Sequence, residues 1–240
     1  MLVTRSGTDG LKVGAVDTHA GPMKAGLDTG RIAEQVACCV EALGAADQRV
    51  QLALFRILAK GKPVEPAQLA REVGLETSDA IGRLGRWYGV HTGDNGHIVA
   101  FQGLSVVEAP HRLQVDGRRL YAWCAWDTLF LPELIGRRGE IASTCPISGR
   151  AISLRVGPEG PTEVAPSEAV LSFLTPGSEF RDKTIESFCS FIHFFASREA
   201  AEHWTGDHPG TFVISIDDGF EIGRRANAAR WGEALAEGRT

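Results

Sequence analysis

The sequence lacks long hydrophobic runs. Its purely apolar stretches, such as Phe194–Ala196, are only a few residues long, whereas a membrane-spanning helix needs about 20. The residues that follow Met1 also lack the apolar segment of a secretory signal peptide. We therefore expect a cytoplasmic protein that makes no membrane contacts.

An excess of positive charge is absent too, since the 240 residues carry 25 Lys and Arg against 30 Asp and Glu, a net charge of −5. This balance disfavours a protein that coats nucleic acid. With 43% hydrophobic and 23% charged residues, the composition is typical of a globular protein and excludes a wholly disordered or fibrous chain. The length predicts one large domain or two small ones.

Several catalytic and metal-binding motifs are missing. There is no Cys-x-x-Cys or Cys-x-x-His spacing, no phosphate-binding glycine loop, no Gly-x-Ser-x-Gly and no His-Glu-x-x-His. A structural zinc site and a thioredoxin-like centre are therefore unsupported. The sequence does contain five cysteines, an odd number that cannot all pair within one chain. In a reducing compartment we expect free thiols that serve either the core or chemistry.

The first 108 residues divide into an extension and a helical module. Residues 1–30 contain many glycines and few large apolar side chains, which predicts a flexible N-terminal extension. Apolar spacing predicts helices over 31–43, 47–60, 66–73 and 78–87, followed by a hairpin over 90–104. Helices and a hairpin in this order predict a winged-helix-like domain over 31–108.

A winged helix often binds DNA, and the recognition helix would here be 78–87. That helix exposes Arg83 and Arg86, but Glu76 and Asp79 lie beside them and weaken any attraction for phosphate. We therefore favour a structural or lid role over DNA binding.

The chain changes character after residue 108. Strand-like runs alternate with helical spacing, which predicts an α+β domain with mixed or antiparallel strand pairing over 109–240. The predicted strands are 112–115, 152–156, 170–174, 188–195 and 212–216. The predicted helices are 122–134, 198–204 and 220–235, and a surface loop covers 157–161.

Cys124 and Asp127 form one candidate catalytic pair. The spacing of three residues places both side chains on the same face of the predicted helix. A helix N-terminus lowers a thiol pKa, whereas a neighbouring carboxylate raises it. The combination suits a pair that holds and moves a proton or binds a cation, although a buried cysteine beside a capping aspartate would look the same.

Cys189 and His193 form a second candidate pair. On the predicted strand they share one face with Phe191 and Phe195. A Cys–His pair could be a nucleophilic dyad or two metal ligands, and a core strand with a hydrogen-bonded histidine is the alternative. Cys145, before a turn, is expected to be structural, and Cys38–Cys39 to be core or partly exposed thiols.

Two segments resemble a known family. Arg118–Leu129 resembles the active-site segment of the organomercurial (alkylmercury) lyases, known as MerB, and so does Leu134–Arg137. Ser187–Cys189, with His193–Ser197 downstream, is similar to the second cysteine motif of that family. The similarity runs from Leu54 to about Gly223, and one departure is Ser190, where some relatives carry a second cysteine.

The resemblance implies a helical, winged-helix-like N-terminal domain and an α+β catalytic domain. It implies that Cys124, Asp127 and Cys189 cleave R–Hg⁺ to R–H and Hg²⁺ by protonolysis and then hold the Hg²⁺ product. A dry aromatic pocket around Trp123 and Phe188 would accept the organic group.

The resemblance further implies that no resident cofactor is needed. External low-molecular-weight thiols would support turnover, and mercuric reductase or a small thiol would accept the Hg²⁺. Cys145 matches a family cysteine that is regarded as structural.

Three rival interpretations remain at this point. The same cysteines could serve a thiol-based metal-binding or metal-sensing winged-helix protein without lyase activity. Cys189 and His193 could serve a hydrolase or transferase. The chain could also be a lyase-like scaffold that has lost its activity.

Overall fold

The structure is a computed structural model of the chain, and it describes residues 27–40, 42–177, 180 and 183–237. Most of the predicted extension over 1–30 lies outside these residues. The described chain opens on a helix that begins at Thr29, where the Asp28 carboxylate accepts the Arg31 N–H at 3.0 Å.

Four helices lead the described part of the chain. They are α1 (Thr29–Cys38), α2 (Ala45–Leu58), α3 (Pro66–Val73) and α4 (Thr77–Leu84). Pro66 fits the first turn of α3, where its missing N–H has no helical partner to lose. Gly74 ends α3 in the left-handed conformation at φ 69°, which a side chain would disfavour. These local signals explain why the helices were predictable.

The larger of two sheets carries eight of the described strands. They are β1 (Val90–Thr92), β2 (Ile98–Phe101), β3 (Leu104–Ser105), β4 (His111–Val115), β5 (Arg118–Ala122), β6 (Gly139–Thr144), β7 (Ala151–Gly157) and β8 (Gly160–Ala165). The order is β1-β2-β3-β5-β4-β6-β7-β8, with every pair antiparallel. Helix α5 (Asp127–Ile135) connects β5 to β6 and is buried nearly all round, as its apolar sequence requires.

The smaller sheet holds the second half of the candidate site. Its strands β9 (Val170–Leu174), β10 (Phe194–Phe195) and β11 (Thr211–Ser215) pair antiparallel in the order β10-β9-β11. Between β9 and β10 lie the short helix α6 (Thr184–Ser187) and a 3₁₀ turn at Cys189–Phe191. Helix α7 (Arg198–Gly206) precedes β11.

The long C-terminal helix α8 (Ile216–Glu237) joins the two ends of the chain. It packs against α1, α2 and α5. The indole N–H of Trp231 donates to Gln51 at 2.9 Å, and its ring meets Phe55 edge-on at 5.9 Å. The Asn227 amide donates to the Phe130 carbonyl of α5 at 3.2 Å. The N-terminal helices are therefore fixed against the helix that leads from the candidate site.

The predicted α+β class is confirmed, and the strand pairing is antiparallel throughout the described residues. The sheet continues without interruption past residue 108, because β3 pairs with β5. The predicted surface loop is a tight turn at Pro158–Glu159 between β7 and β8. Within the described ranges, no helix combines the length and the apolar character that crossing a bilayer requires.

Candidate active site

Cys124 lies in the turn that links β5 to α5. The sequence predicts a helix from Ala122, but α5 begins only at Asp127, so Cys124 precedes the helix. Its backbone N–H donates to the Asp127 carboxylate at 2.8 Å, which fixes the turn. The thiol is fully buried, at 0% exposure. Asp127 therefore closes the turn that carries the thiol, but it does not cap α5, whose N-cap residue is Trp126.

The Asp127 carboxyl group, in a residue that is 5% exposed, lies close to the backbone of Gly103. A Cβ atom at Gly103 would lie 2.6 Å from the Asp127 carboxyl carbon, well inside van der Waals contact. Gly103 also has φ +97°, a conformation that other residues rarely adopt. The loop between β2 and β3 thus leaves space for the carboxylate only because residue 103 has no side chain.

Cys189 is not on a strand, so the strand predicted over 188–195 is wrong. The chain forms a 3₁₀ turn over Cys189–Phe191, and only Phe194–Phe195 pairs with β9. On a strand, Phe188 and Cys189 would point to opposite faces, whereas the turn buries both. The turn is held by Ser172 of β9, whose hydroxyl donates to the Phe191 carbonyl at 2.8 Å.

The fold brings the two cysteines and the aspartate together. One ligand atom from each of Cys124, Asp127 and Cys189 lies within 4.8 Å of the other two, and all three residues are buried. The backbone joins the two halves directly, because the Ala125 N–H donates to the Ile192 carbonyl at 3.1 Å. The expected convergence of residues 65 positions apart in sequence is confirmed.

Burial keeps both thiols protonated at neutral pH. Burial raises the pKa of the Cys124 thiol well above its usual value, and its hydrogen bond to Cys189 and the Asp127 charge act in the same direction. The hydrogen bond from Cys124 lowers the pKa of Cys189, but burial and Asp127 outweigh it, so that pKa is also raised. Both thiols therefore carry their protons before substrate binds.

Asp127 has the pKa of a proton carrier. Burial raises the pKa of its carboxyl to about 7, although hydrogen bonds from the Cys124 N–H and thiol act in the opposite direction. The Cys124 thiol is thus within hydrogen-bonding reach of both Asp127 and Cys189. A carboxyl that is half protonated at neutral pH can accept a proton and release it again.

Aromatic side chains surround the cluster. Phe188 meets Trp126, Phe173 and Phe180 edge-on, with ring centroids 6.0, 5.7 and 5.0 Å away. A narrow pocket opens beside Asp127 and Cys189. Its other lining residues are Val36, Tyr88, Gln102, Gly103, Trp123, Trp126, Phe130, Phe180, Thr184, Phe188, Ala226, Asn227, Arg230 and Trp231. Both predicted pocket residues, Trp123 and Phe188, are among them.

A second groove reaches the same cluster from another direction. Trp123 and Cys189 line it as well as the first pocket, and Ser190 and His193 lie at its edge. The Trp123 ring faces His91 in this groove, with centroids 4.9 Å apart. Cys189 is the one member of the three-residue cluster that borders both openings.

Comparison with known proteins explains this arrangement. The family model described as alkylmercury lyase matches residues 104–227. The chain is 40% identical to the alkylmercury lyase of Staphylococcus epidermidis over 73% of its own length and 80% of the relative's. It is 34% identical to the alkylmercury lyase of Streptomyces lividans over 75% and 84%.

The chain belongs to the alkylmercury lyase family.

A solved structure agrees at the level of the fold. The crystal structure of the mercury-bound form of MerB2 has a TM-score of 0.66 to this chain at 21% sequence identity. The match covers 82% of this chain and 96% of the other. The alkylmercury lyase fold therefore accounts for the α+β arrangement, and the cluster of Cys124, Asp127 and Cys189 fits a catalytic site of this family.

The remaining cysteines of this alkylmercury lyase family member lie elsewhere. All five cysteines are free thiols, as expected. Cys145 is buried after β6, where its N–H donates to the Arg150 carbonyl at 2.9 Å. Cys38 is exposed and Cys39 is half-buried at the end of α1. The His193 ring contacts the Ser190 carbonyl at 2.9 Å, which differs from the arrangement of a Cys189–His193 dyad.

Several residues of the pocket were not identified from the sequence. Tyr88 and Gln102 come from the N-terminal module, and Arg230 and Trp231 come from α8 beyond the region of family resemblance. None of them lies near a cysteine motif in sequence, so only the fold places them in the pocket. Arg230 lies in a predicted helix, and nothing in the neighbouring sequence indicates that its side chain enters the pocket.

Proposed function

We propose that this chain cleaves the carbon–mercury bond of organomercury cations by protonolysis, with Cys124, Asp127 and Cys189 as the catalytic residues. The observation that carries the proposal is the meeting of two thiols and one carboxyl within 4.8 Å, buried beside an aromatic pocket. Mercury is a soft metal and thiolates are the soft ligands of proteins. A metal-sensing protein would need the two sulfurs but not an adjacent proton carrier.

The first step is exchange of the ligand on mercury. Cys189 is suited to attack first, because it borders both openings to the cluster. A substrate R–Hg–SR′ loses R′S⁻, which leaves as R′SH with the proton of the Cys189 thiol. Mercury is then bound to R and to the Cys189 sulfur, with R in the aromatic pocket beside Trp123 and Phe188.

The second step is transfer of a proton to carbon. The Asp127 carboxylate accepts the proton of the Cys124 thiol, and the freed Cys124 sulfur binds mercury. Electron donation from two sulfurs weakens the carbon–mercury bond. The Asp127 carboxyl then protonates the carbon as that bond breaks, so R–H leaves and Hg²⁺ stays on Cys124 and Cys189. The carboxyl pKa of about 7 suits both directions of this transfer.

Release of Hg²⁺ requires an external thiol, and no resident cofactor takes part. We propose that low-molecular-weight thiols enter by the groove beside Ser190 and His193, because Cys189 borders it. Mercuric reductase is the proposed final acceptor. A reducing compartment such as the cytoplasm would keep the thiols free for this exchange.

We further propose that residues 31–108 act as a winged-helix-like cover on a catalytic domain of residues 109–240. The order of α1 to α4 followed by the β1–β2 hairpin supports this division. Tyr88, Gln102 and Gly103 of the module line the pocket. DNA binding is disfavoured because the α4 guanidinium of Arg83 contacts the Asp47 carboxylate, which neutralises its charge.

The test is incubation of the protein with phenylmercury and excess small thiol, followed by measurement of benzene in the headspace and of Hg²⁺. We expect the wild type to release both in equal amounts. Cys124→Ser should abolish release, and Cys38→Ser, which removes an exposed thiol, should not. Capture of mercury by the wild type without benzene would overturn the proposal and favour a metal-binding protein.

A further inference from the structure

Among the described residues that line the aromatic pocket, Arg230 is the one arginine or lysine. It comes from α8 and is held between the rings of Tyr88 and Trp231, with the central carbon of its guanidinium 5.4 and 4.1 Å from their centroids. Such contacts fix the orientation of a cation at little entropic cost. The remaining lining is mainly aromatic and apolar, so this charge dominates its part of the pocket.

Two N–H groups of Arg230 have partners, and one buried group has none. One terminal nitrogen donates to the Tyr88 hydroxyl at 3.1 Å, and the other donates to the Gln102 side-chain oxygen at 2.9 Å. The Nε atom is buried without a hydrogen-bond partner. Both partners are neutral, and in the described ranges no carboxylate forms an ion pair with this guanidinium. A buried donor without an acceptor is costly, and an anion would relieve that cost.

Arg230 and two of the reacting groups line the same pocket. Asp127 and Cys189 lie in its wall together with Tyr88 and Arg230. The Tyr88 hydroxyl accepts a hydrogen bond from Arg230, and its pKa is raised by burial and responds also to the charges of Asp127 and Cys189. An aryl group bonded to mercury at Cys189 would therefore share this pocket with the Arg230 guanidinium.

We propose that Arg230 forms an anion subsite for the organic group, and that the preferred substrates are aryl mercurials with a carboxylate at the end remote from mercury. This inference rests on the proposed function, because it assigns the distal part of the same pocket. The carboxylate would accept from Nε–H and from an N–H of a terminal nitrogen, the paired geometry that guanidinium favours.

The test compares kcat/KM for 4-carboxyphenylmercury with kcat/KM for phenylmercury. Loss of a charge-assisted hydrogen bond corresponds to about tenfold or more, so Arg230→Met should lower the ratio by about that factor. Arg230→Lys keeps the positive charge but lacks the paired N–H groups of the guanidinium, so the ratio should lie between those of Arg230→Met and the wild type. Arg225→Met removes an exposed arginine from the same helix, where it pairs with Glu221, and should leave the ratio within about twofold.

A ratio that Arg230→Met leaves unchanged would overturn the subsite. If kcat/KM falls equally for both substrates, Arg230 serves only to hold Tyr88 and Gln102. If kcat/KM falls for neither substrate, Arg230 has no part in the reaction. If Arg230→Met fails to fold, Arg230→Lys provides the test. A folded Arg230→Lys variant with the same kcat/KM ratio as the wild type would contradict recognition by the paired N–H groups of the guanidinium.

A binding measurement separates this inference from the proposed reaction. Trp126 and Trp231 line the pocket, so their fluorescence should report binding of benzoate and of its neutral analogue benzamide. We expect the wild type to prefer benzoate and Arg230→Met to lose that preference. If the wild type prefers benzoate but releases no benzene from phenylmercury, the lyase proposal fails and the subsite stands. Equal binding of benzoate and benzamide by the wild type contradicts the subsite.

Discussion

The two halves of the site are built in different ways. Cys124 and Asp127 lie in one continuous segment between a central strand of the large sheet and the buried helix α5. Cys189 lies in a 3₁₀ turn after a helix of four residues, and the Phe188 backbone before it is neither helical nor extended. The first half is positioned by regular local structure, and the second half is positioned by long-range contacts.

This difference matches the tasks proposed for each half. Proton transfer requires the thiol, the carboxyl and the carbon to be held in one geometry, and a strand–turn–helix segment provides that rigidity. Capture and release of mercury require one ligand that both openings reach, which is the position of Cys189. The comparison therefore predicts different failures when each half is altered.

The largest effect is expected from removal of either thiol. Cys124→Ser and Cys189→Ser should each lower benzene release by about 10³-fold or more, since the residues act as one unit. With Cys38 replaced by serine in both to reduce background, Cys124→Ser should retain phenylmercury uncleaved on Cys189 after gel filtration. Cys189→Ser should not retain phenylmercury. If Cys189→Ser alone retains phenylmercury, Cys124 attacks first and not Cys189.

Asp127→Asn should keep the geometry of the first half but remove the proton carrier. The amide oxygen can still accept the Cys124 N–H, so the turn should survive. We expect benzene release to fall by about 10²-fold or more, the usual contribution of a general acid–base. Single-turnover measurements should show phenylmercury bound and cleavage slowed. A wild-type rate would remove Asp127 from the mechanism.

The same variant should be more stable than the wild type at neutral pH. Burial raises the pKa of Asp127 to about 7 in the folded state, above the ordinary value of 3.8, so the folded state binds the proton more tightly. Stability therefore falls as pH rises from about 4 to about 7. In urea unfolding at pH 8, the unfolding free energy of Asp127→Asn should exceed that of the wild type by about 2 to 4 kcal/mol. The gap should shrink toward pH 4, and a constant gap would contradict the raised pKa.

Gly103→Ala tests the support that the N-terminal module gives to the first half. The new methyl would lie 2.6 Å from the Asp127 carboxyl carbon, in a backbone with φ +97°. We expect a loss of about 2 to 3 kcal/mol in unfolding free energy and about tenfold in activity. Gly117→Ala has a similar strain, at φ +75°, but meets nothing within 4 Å. Equal activity losses would show that strain alone, and not the clash, is responsible.

Sequence reasoning succeeded where local structure determines position. The three-residue spacing of Cys124 and Asp127 and the turn signals at Pro66 and Gly74 all act over a few residues. It failed at Cys189, because alternating apolar residues predict a strand, whereas the chain forms a 3₁₀ turn that the distant Ser172 hydroxyl holds.

The part of the aromatic pocket around Arg230 could not be predicted from local sequence for a related reason. Arg230 lies more than a hundred residues after Tyr88 and Gln102 in the chain, and the meeting of these side chains depends on the packing of α8. The extent of the sheet was missed similarly, since the pairing of β3 with β5 crosses the predicted domain boundary. Family resemblance supplied the pairing of the two cysteine motifs, which no spacing rule provides.

The smallest effect should come from single buried hydroxyl groups, one beside each half. Ser172 accepts the His193 N–H at 3.0 Å and donates to the Phe191 carbonyl at 2.8 Å, so it is a principal anchor of the Cys189 turn. Thr128 donates to the Ala125 carbonyl at 2.7 Å, in a turn that α5 already holds. Both residues are fully buried, at 0% exposure, which makes them a matched pair.

Ser172→Ala should therefore cost more activity than Thr128→Val. Each removal leaves a buried backbone group without its partner and should lower the unfolding free energy by about 1 to 3 kcal/mol. The activity should fall about fivefold in Ser172→Ala, mainly through KM because Cys189 captures the substrate, and less than about twofold in Thr128→Val. Steady-state kinetics with phenylmercury would measure both. If Ser172→Ala and Thr128→Val have the same unfolding free energy and lose the same activity, the prediction is contradicted. The hydroxyl beside Cys189 would then contribute no more to activity than the hydroxyl beside Cys124.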